Sequence, residues 1–99
     1  HGSNVLGTIQ PVSEIGRLCR DRRIPFLVDA AQTAGSIPID VKEMSIDLLA
    51  APGHKSLFGP VGTGFLYVSP NVELHCWREG GTGGDSGSAT QPSGFPQRL

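Results

Sequence analysis

Apolar and polar positions along the chain fall into short blocks with two different spacings. Ile15, Leu18 and Cys19 stand at i, i+3 and i+4, the spacing of one helix face. The pattern predicts a helix from Ser13, whose hydroxyl would cap free backbone N–H groups, with Glu14 near the positive end of the dipole. Arg20, Arg22 and Arg23 suit the negative end, and Pro25 stops the helix. Residues 1–12 read as a loop with a short strand. Ile24 and Phe26-Leu27-Val28 form a continuous apolar run ending in Asp29, the pattern of a strand buried on both faces. Ile37, Ile39 and Val41 alternate and predict a brief extended stretch. Asp40 and Glu43 then have capping-box spacing for a short helix through Met44. Asp47-Leu48-Leu49-Ala50-Ala51 reads as a second buried strand, cut at Pro52-Gly53. Phe65-Leu66-Tyr67-Val68 reads as a third, with the turn-rich Gly59–Gly64 segment before it making it antiparallel.

Alternating helix and buried strand argues for the α/β class, with a mostly parallel sheet, one antiparallel strand and helices packed on it. Residues 1–78 carry this pattern. Residues 79–99 change character: six of the 20 residues from Glu79 to Arg98 are Gly, and only Ala89 and Phe95 there are clearly apolar. A stretch of that composition is expected to be an extended arm or tail, since it buries too little surface to offset its ordering entropy.

Composition narrows the functional classes. With 37% hydrophobic residues the chain is not disordered throughout, and its 14 Gly and 8 Pro announce many turns. A formal charge of −1 offers no electrostatic case for nucleic acid or anionic lipid. No apolar run approaches the ~20 residues of a membrane helix. Cys19 and Cys76 lie 57 positions apart, neither a disulfide framework nor a zinc spacing, so free thiols in a reducing compartment are expected. The first residues, His1-Gly2-Ser3-Asn4, carry neither an initiator Met nor a signal segment. The chain therefore reads as processed or as a piece of something longer.

In open α/β sheets ligands gather at the carboxyl ends of strands. Asp29 and the Pro52–Lys55 turn both fall at such ends. Taken singly, the aspartate reads as a turn cap and the lysine as a solvated charge. Together they match the needs of pyridoxal phosphate: an amine to form an imine with its aldehyde, and an acid to keep its pyridine nitrogen protonated. The lysine must be neutral to react, which calls for a partly desolvated setting.

Further residues extend the match. Val28-Asp29-Ala30-Ala31-Gln32-Thr33-Ala34-Gly35 is followed, 26 positions after the aspartate, by Lys55 in Pro52-Gly53-His54-Lys55. Gly59-Pro60-x-Gly62-Thr63-Gly64 comes next, then Leu66-Tyr67-Val68. His1-x-Ser3-Asn4-Val5-x-Gly7 lies upstream and Arg78-Glu79-Gly80-Gly81-Thr82-Gly83 downstream. This ordered set resembles the class V aminotransferase family of pyridoxal-phosphate enzymes, within it the cysteine desulfurase and selenocysteine lyase group, and covers nearly the whole chain.

The resemblance implies roles position by position. Lys55 would be the Schiff-base lysine and the base that moves the substrate's α-proton. Asp29 would pair with the pyridinium nitrogen, Gln32 would donate to the ring's phenolic oxygen, and His54 would contact the phosphate. Asn4 would lie near the substrate carboxylate and the ring oxygen, and Thr82 would reach a neighbouring subunit's phosphate. The implied enzyme is a cytoplasmic homodimer acting on cysteine or a similar amino acid, without a metal, and with an aminotransferase or another lyase of the family as the alternative reaction. Pro52 departs from the Ser or Thr that many members carry two positions before the histidine, removing one phosphate hydroxyl. Family members are several times longer, and this chain looks like the central part of their large domain. It lacks the upstream phosphate turn, the ring that stacks on the cofactor, and the C-terminal domain with its substrate-binding arginine and sulfur-accepting cysteine.

Other readings are weaker. Gly84-Asp85-Ser86-Gly87 resembles a serine-protease nucleophile signature, but an α/β chain of this length cannot form the two barrels those enzymes need. Gly59–Gly64 has no following Lys-Ser/Thr and no helix, so it is not a phosphate loop. His75 beside Cys76 has no further ligands at coordinating spacing. A non-catalytic fragment that serves as an interaction or assembly module remains an open alternative for the isolated chain.

Overall fold

A computed structural model describes residues 1–75. Thr82, Cys76 and the whole 79–99 segment lie outside the described residues. The described elements run α1 (Val12–Asp21), β1 (Leu27–Asp29), β2 (Leu48–Pro52) and β3 (Gly64–Val68). The sheet order is β1-β2-β3, with β1 and β2 parallel and β3 antiparallel to β2. This is the expected mixed α/β arrangement.

Helix α1 departs from expectation in its start and its buried face. It begins at Val12 with Pro11 at the N-cap position and no side-chain cap, so Ser13 does not cap it. Pro11 has no N–H to leave unpaired, and its carbonyl accepts from Ile15 at 3.1 Å. The inward face is Val12 and Gly16, both buried, with half-buried Cys19, spaced i, i+4 and i+7, while Ile15 and Leu18 are exposed. Gly16 explains the rotation: a Cβ there would stand under 3.0 Å from the Met44 carbonyl oxygen. The missing side chain lets the helix backbone approach the 40–45 turn, which no apolar-spacing rule registers.

The other differences are in length and burial. The apolar run from Ile24 yields only three residues of strand, and within it Val28 alone is buried while Leu27 stays 55% exposed. The register pairs Val28 with Leu49 and Leu49 with Tyr67. These residues share the core face with Ala30, Ile46 and Ala51, against which Phe26, Ile39, Val41 and Met44 pack. Leu27 and Leu66 lie on the opposite face, and both are half exposed. Residues 37–41 alternate in burial as expected but form no strand. The short helix after Asp40 reduces to a single turn. Asp40 Oδ1 accepts from the N–H groups of Lys42 and Glu43 at 2.9 Å each, and its carbonyl accepts from Met44. Those amides, Glu43 first and then Lys42, hold the Asp40 carboxyl below the ordinary aspartate range, and the Lys42 ammonium adds to this.

Strand β2 is shifted one residue from the expected span and takes in Pro52. Its even positions face β1: the Leu48 N–H donates to the Phe26 carbonyl, and the Ala50 carbonyl accepts from the Ala30 N–H. Asp29 is opposite Ala50 and ends β1. The N–H that Pro52 lacks would thus face a side where β1 has already stopped, and no ladder bond is lost. At the other end Asp47 clasps the two strand starts together, its Oδ2 accepting from the Phe26 N–H at 2.9 Å.

Candidate functional site

Two neighbouring parallel strands deliver candidate residues to one end of the sheet. Asp29 is the last residue of β1, and the Gly53-His54-Lys55 turn leaves β2 three residues beyond Asp29's partner, Ala50. The Asp29 side chain is exposed and folds its Oδ1 onto the Ala31 N–H at 2.8 Å. The bland reading of this aspartate, a turn cap, is therefore real, and it engages one carboxylate oxygen. The Ala30 carbonyl then accepts from the N–H groups of Thr33 and Ala34, closing the turn that carries Gln32.

The lysine turn is closed by its own backbone. Gly53 N–H donates to the Thr63 carbonyl at 2.7 Å, Gly59 N–H to the Gly53 carbonyl at 2.7 Å, and Phe58 N–H to the Lys55 carbonyl at 2.9 Å. Gly53 is sterically required, because a Cβ would collide with the Thr63 hydroxyl. Thr63 Oγ1 also donates to the Pro60 carbonyl, so the segment read as a turn before an antiparallel strand is that turn. Gly35, at φ 87°, brings the Asp29 turn against the lysine turn: a Cβ on it would stand 2.6 Å from the Ser56 carbonyl oxygen. Phe58 is held at φ 56° and is 95% exposed.

A third segment joins this end. Residues 1–10 form a small hairpin, with Ser3 N–H donating to the Thr8 carbonyl, Gln10 N–H to the His1 carbonyl, and a bridge between Gly2 and Ile9. Its base is fastened to the β1 terminus by the His1 nitrogen, which donates to the Asp29 carbonyl at 2.7 Å. Asn4 lies at the exposed tip, where Ser3 Oγ accepts from the Val5 and Leu6 N–H groups.

Lys55 is half-buried, Gln32 half-buried, and His54 and Asn4 exposed. Among the described residues none of these four side chains makes a hydrogen bond or ion pair. Asp29, Gln32, His54 and Lys55 thus lie on the two turns that leave β1 and β2 at one end of the sheet, and Asn4 lies at the tip of the hairpin whose base is fastened there. A surface groove at the opposite end, beside Arg20, Arg23, Lys42, Asp47 and Tyr67, holds none of them. Sequence reasoning had no role for His1 or Thr33, which bond to each other (His1 Nδ1 to Thr33 Oγ1, 2.8 Å).

A mixed α/β sheet with an acid and a lysine at the carboxyl end of a parallel strand pair places both where ligands gather in such sheets. The aminotransferase class-V family model matches residues 1–97, and the chain belongs to that family. A probable cysteine desulfurase of Methanothermobacter thermautotrophicus is 53% identical over 73 residues, 74% of this chain and 18% of that protein. The apo structure of a cysteine desulfurase from Thermococcus onnurineus NA1 superposes with TM-score 0.68 at 46% identity, over 71% of this chain and 18% of the other. A structure of SspA in complex with cysteine gives TM-score 0.76 at 44% identity, over 84% of this chain and 24% of that one. The chain spans about a fifth of the length of the curated relatives it matches. No described helix is long and apolar enough to cross a membrane.

Proposed function

We propose that these residues are the central, lysine-bearing part of a pyridoxal-phosphate enzyme that removes sulfur from cysteine, as a cytoplasmic homodimer. Cysteine and an acceptor thiol become alanine and a persulfide: a C–S bond breaks, a C–H bond replaces it, and the sulfur joins the acceptor thiol. The observation that carries this reading is the pairing of Asp29 with the Lys55 turn at adjacent carboxyl ends of β1 and β2. The groups there, the Asp29 carboxylate with one oxygen engaged by Ala31, and a carboxamide, an imidazole and a primary amine without partners among the described residues, fit the groups that pyridoxal phosphate presents. When bound, that cofactor supplies an electron sink for the bonding pair at the substrate's α-carbon.

The chain's own residues do the rest. Lys55 Nζ would hold the cofactor's aldehyde carbon and move the proton at the α-carbon. Asp29 would hold a proton at the ring nitrogen, its carboxylate kept in place by the Ala31 N–H. Gln32 would donate to the phenolic oxygen, His54 would contact the phosphate and Asn4 the substrate carboxylate, and Thr82, outside the described residues, is assigned to the neighbouring subunit's phosphate by family resemblance alone. An aminotransferase or another lyase of the family is the alternative chemistry for the same residues. A non-catalytic assembly role for the isolated chain is favoured by the bare sheet face at Leu27 and Leu66.

The test is chemical. The full-length protein, loaded with pyridoxal phosphate and reduced with borohydride, should carry one covalent adduct, mapped by peptide mass spectrometry to residue 55. Lys55→Ala should lose the adduct and the release of alanine from cysteine. Labelling scattered over surface lysines would refute the assignment.

A further inference from the structure

The hairpin that carries Asn4 has two fastenings to the turn that carries Asp29 and Gln32. One runs from the His1 main-chain nitrogen to the Asp29 carbonyl and involves no side chain. The other depends on side chains. Thr33 is 2% exposed, and its Oγ1 lies 2.8 Å from His1 Nδ1 and 3.5 Å from the Ala30 carbonyl oxygen. Its methyl group is equally constrained, because a Cβ on Gly2 would stand 2.7 Å from Thr33 Cγ2. A buried hydroxyl with one short partner from a different segment is a costly group to leave unpaired, which makes the pairing specific.

We propose that Thr33 is a positioning residue: its hydroxyl, through the His1 imidazole, sets the Asn4 hairpin against the Asp29–Gln32 turn, and so sets substrate affinity. The inference rests on the proposed reaction for its kinetic consequence but not for its structural one. Thr33 touches neither substrate nor cofactor in this scheme. It acts by holding the two segments that carry Asn4 and Gln32, side chains with no partner of their own among the described residues.

The experiment uses the full-length enzyme with Thr33→Val, which keeps the shape and loses the hydroxyl, Thr33→Ser, which keeps the hydroxyl, and His1→Phe, which removes the bond from the other side. Hydrogen–deuterium exchange of the 1–10 peptide reads the fastening directly. Thr33→Val and His1→Phe should each raise exchange there and raise KM for cysteine by about fivefold, the scale of one net hydrogen bond, with a smaller change in kcat. Thr33→Ser should restore both readouts, and the double variant should be no worse than either single one. Unchanged exchange in residues 1–10 in either single variant, or additive effects in the double, would overturn the proposal. If Lys55→Ala leaves cofactor labelling and turnover intact, the reaction assignment fails instead, and the exchange data still decide the fastening. Should Thr33→Val not fold, His1→Phe with Thr33→Ser carries the same comparison.

Discussion

Replacing Gly16 with alanine sets two effects of opposite sign against each other. Intrinsic helix propensity favours alanine at a mid-helix position by about 0.8–1.0 kcal/mol, and Gly16 is the fifth residue of the ten in α1. Against this, the new methyl would overlap the Met44 carbonyl oxygen, stand 3.1 Å from the Met44 carbonyl carbon and come within 3.4 Å of Phe26 Cδ1. The obstacle is backbone, not the end of a flexible side chain, so relief requires α1 to move away from the 40–45 turn. Such a shift loosens Val12 and Met44, which pack in the same core. Overpacking of this kind costs about 1–3 kcal/mol, and a rigid obstacle belongs at the upper end. The expected net is a loss of about 2 kcal/mol, close to a thirtyfold change in the folding equilibrium. Denaturant unfolding followed by circular dichroism measures it as a lower midpoint at unchanged slope. A midpoint equal to or above that of the parent would show that propensity wins and that the close approach of α1 to Met44 is not what rotates the helix.

Four further outcomes are expected. Asp29→Asn keeps an oxygen for the Ala31 N–H but removes the charge, so the turn should survive while kcat falls roughly a hundredfold or more, the scale of losing one fixed electrostatic partner. Gly35→Ala is strained by its positive φ and meets the Ser56 carbonyl; a loss of about 1–3 kcal/mol in chemical unfolding is expected. Phe58→Gly releases an aromatic residue from φ 56° while giving up almost no buried surface, and a gain in stability on the order of 1 kcal/mol, read as a higher melting temperature, should follow. The lowered pKa of Asp40 makes its contribution to stability complete above the ordinary aspartate value and lost as pH falls through the folded value. Asp40→Asn, which still caps the turn, should therefore flatten the acid limb of a stability–pH profile; an unchanged limb would remove Asp40 as its source.

The existence of the strands and the antiparallel sense of β3 were legible, because β2 and β3 are apolar runs marked off by Pro and Gly. The carboxyl-end position of Asp29 and Lys55 was legible for the same reason, with the run of motifs adding the chemistry. The rotation of α1 was not, because it is set by what Gly16 lacks, and hydrophobic spacing records only side chains that are present. Nor was the brevity of β1: Ile24 and Phe26 are as apolar as any strand residue, but the chain reaches them through Arg23 at φ 57° and pairing starts only at Leu27. The His1–Thr33 bond joins residues 32 positions apart, and two small polar side chains at that separation carry no local pattern.

The outward side of the sheet has a bearing on biosynthesis. Leu27 and Leu66 form a wettable-to-oily boundary that the described residues leave uncovered, in a family whose members extend far beyond this stretch. While a ribosome is still making the remainder of such a chain, that surface must wait in water. Nascent chains stalled once β3 has cleared the exit tunnel should accordingly be richer in bound holdase than completed chains.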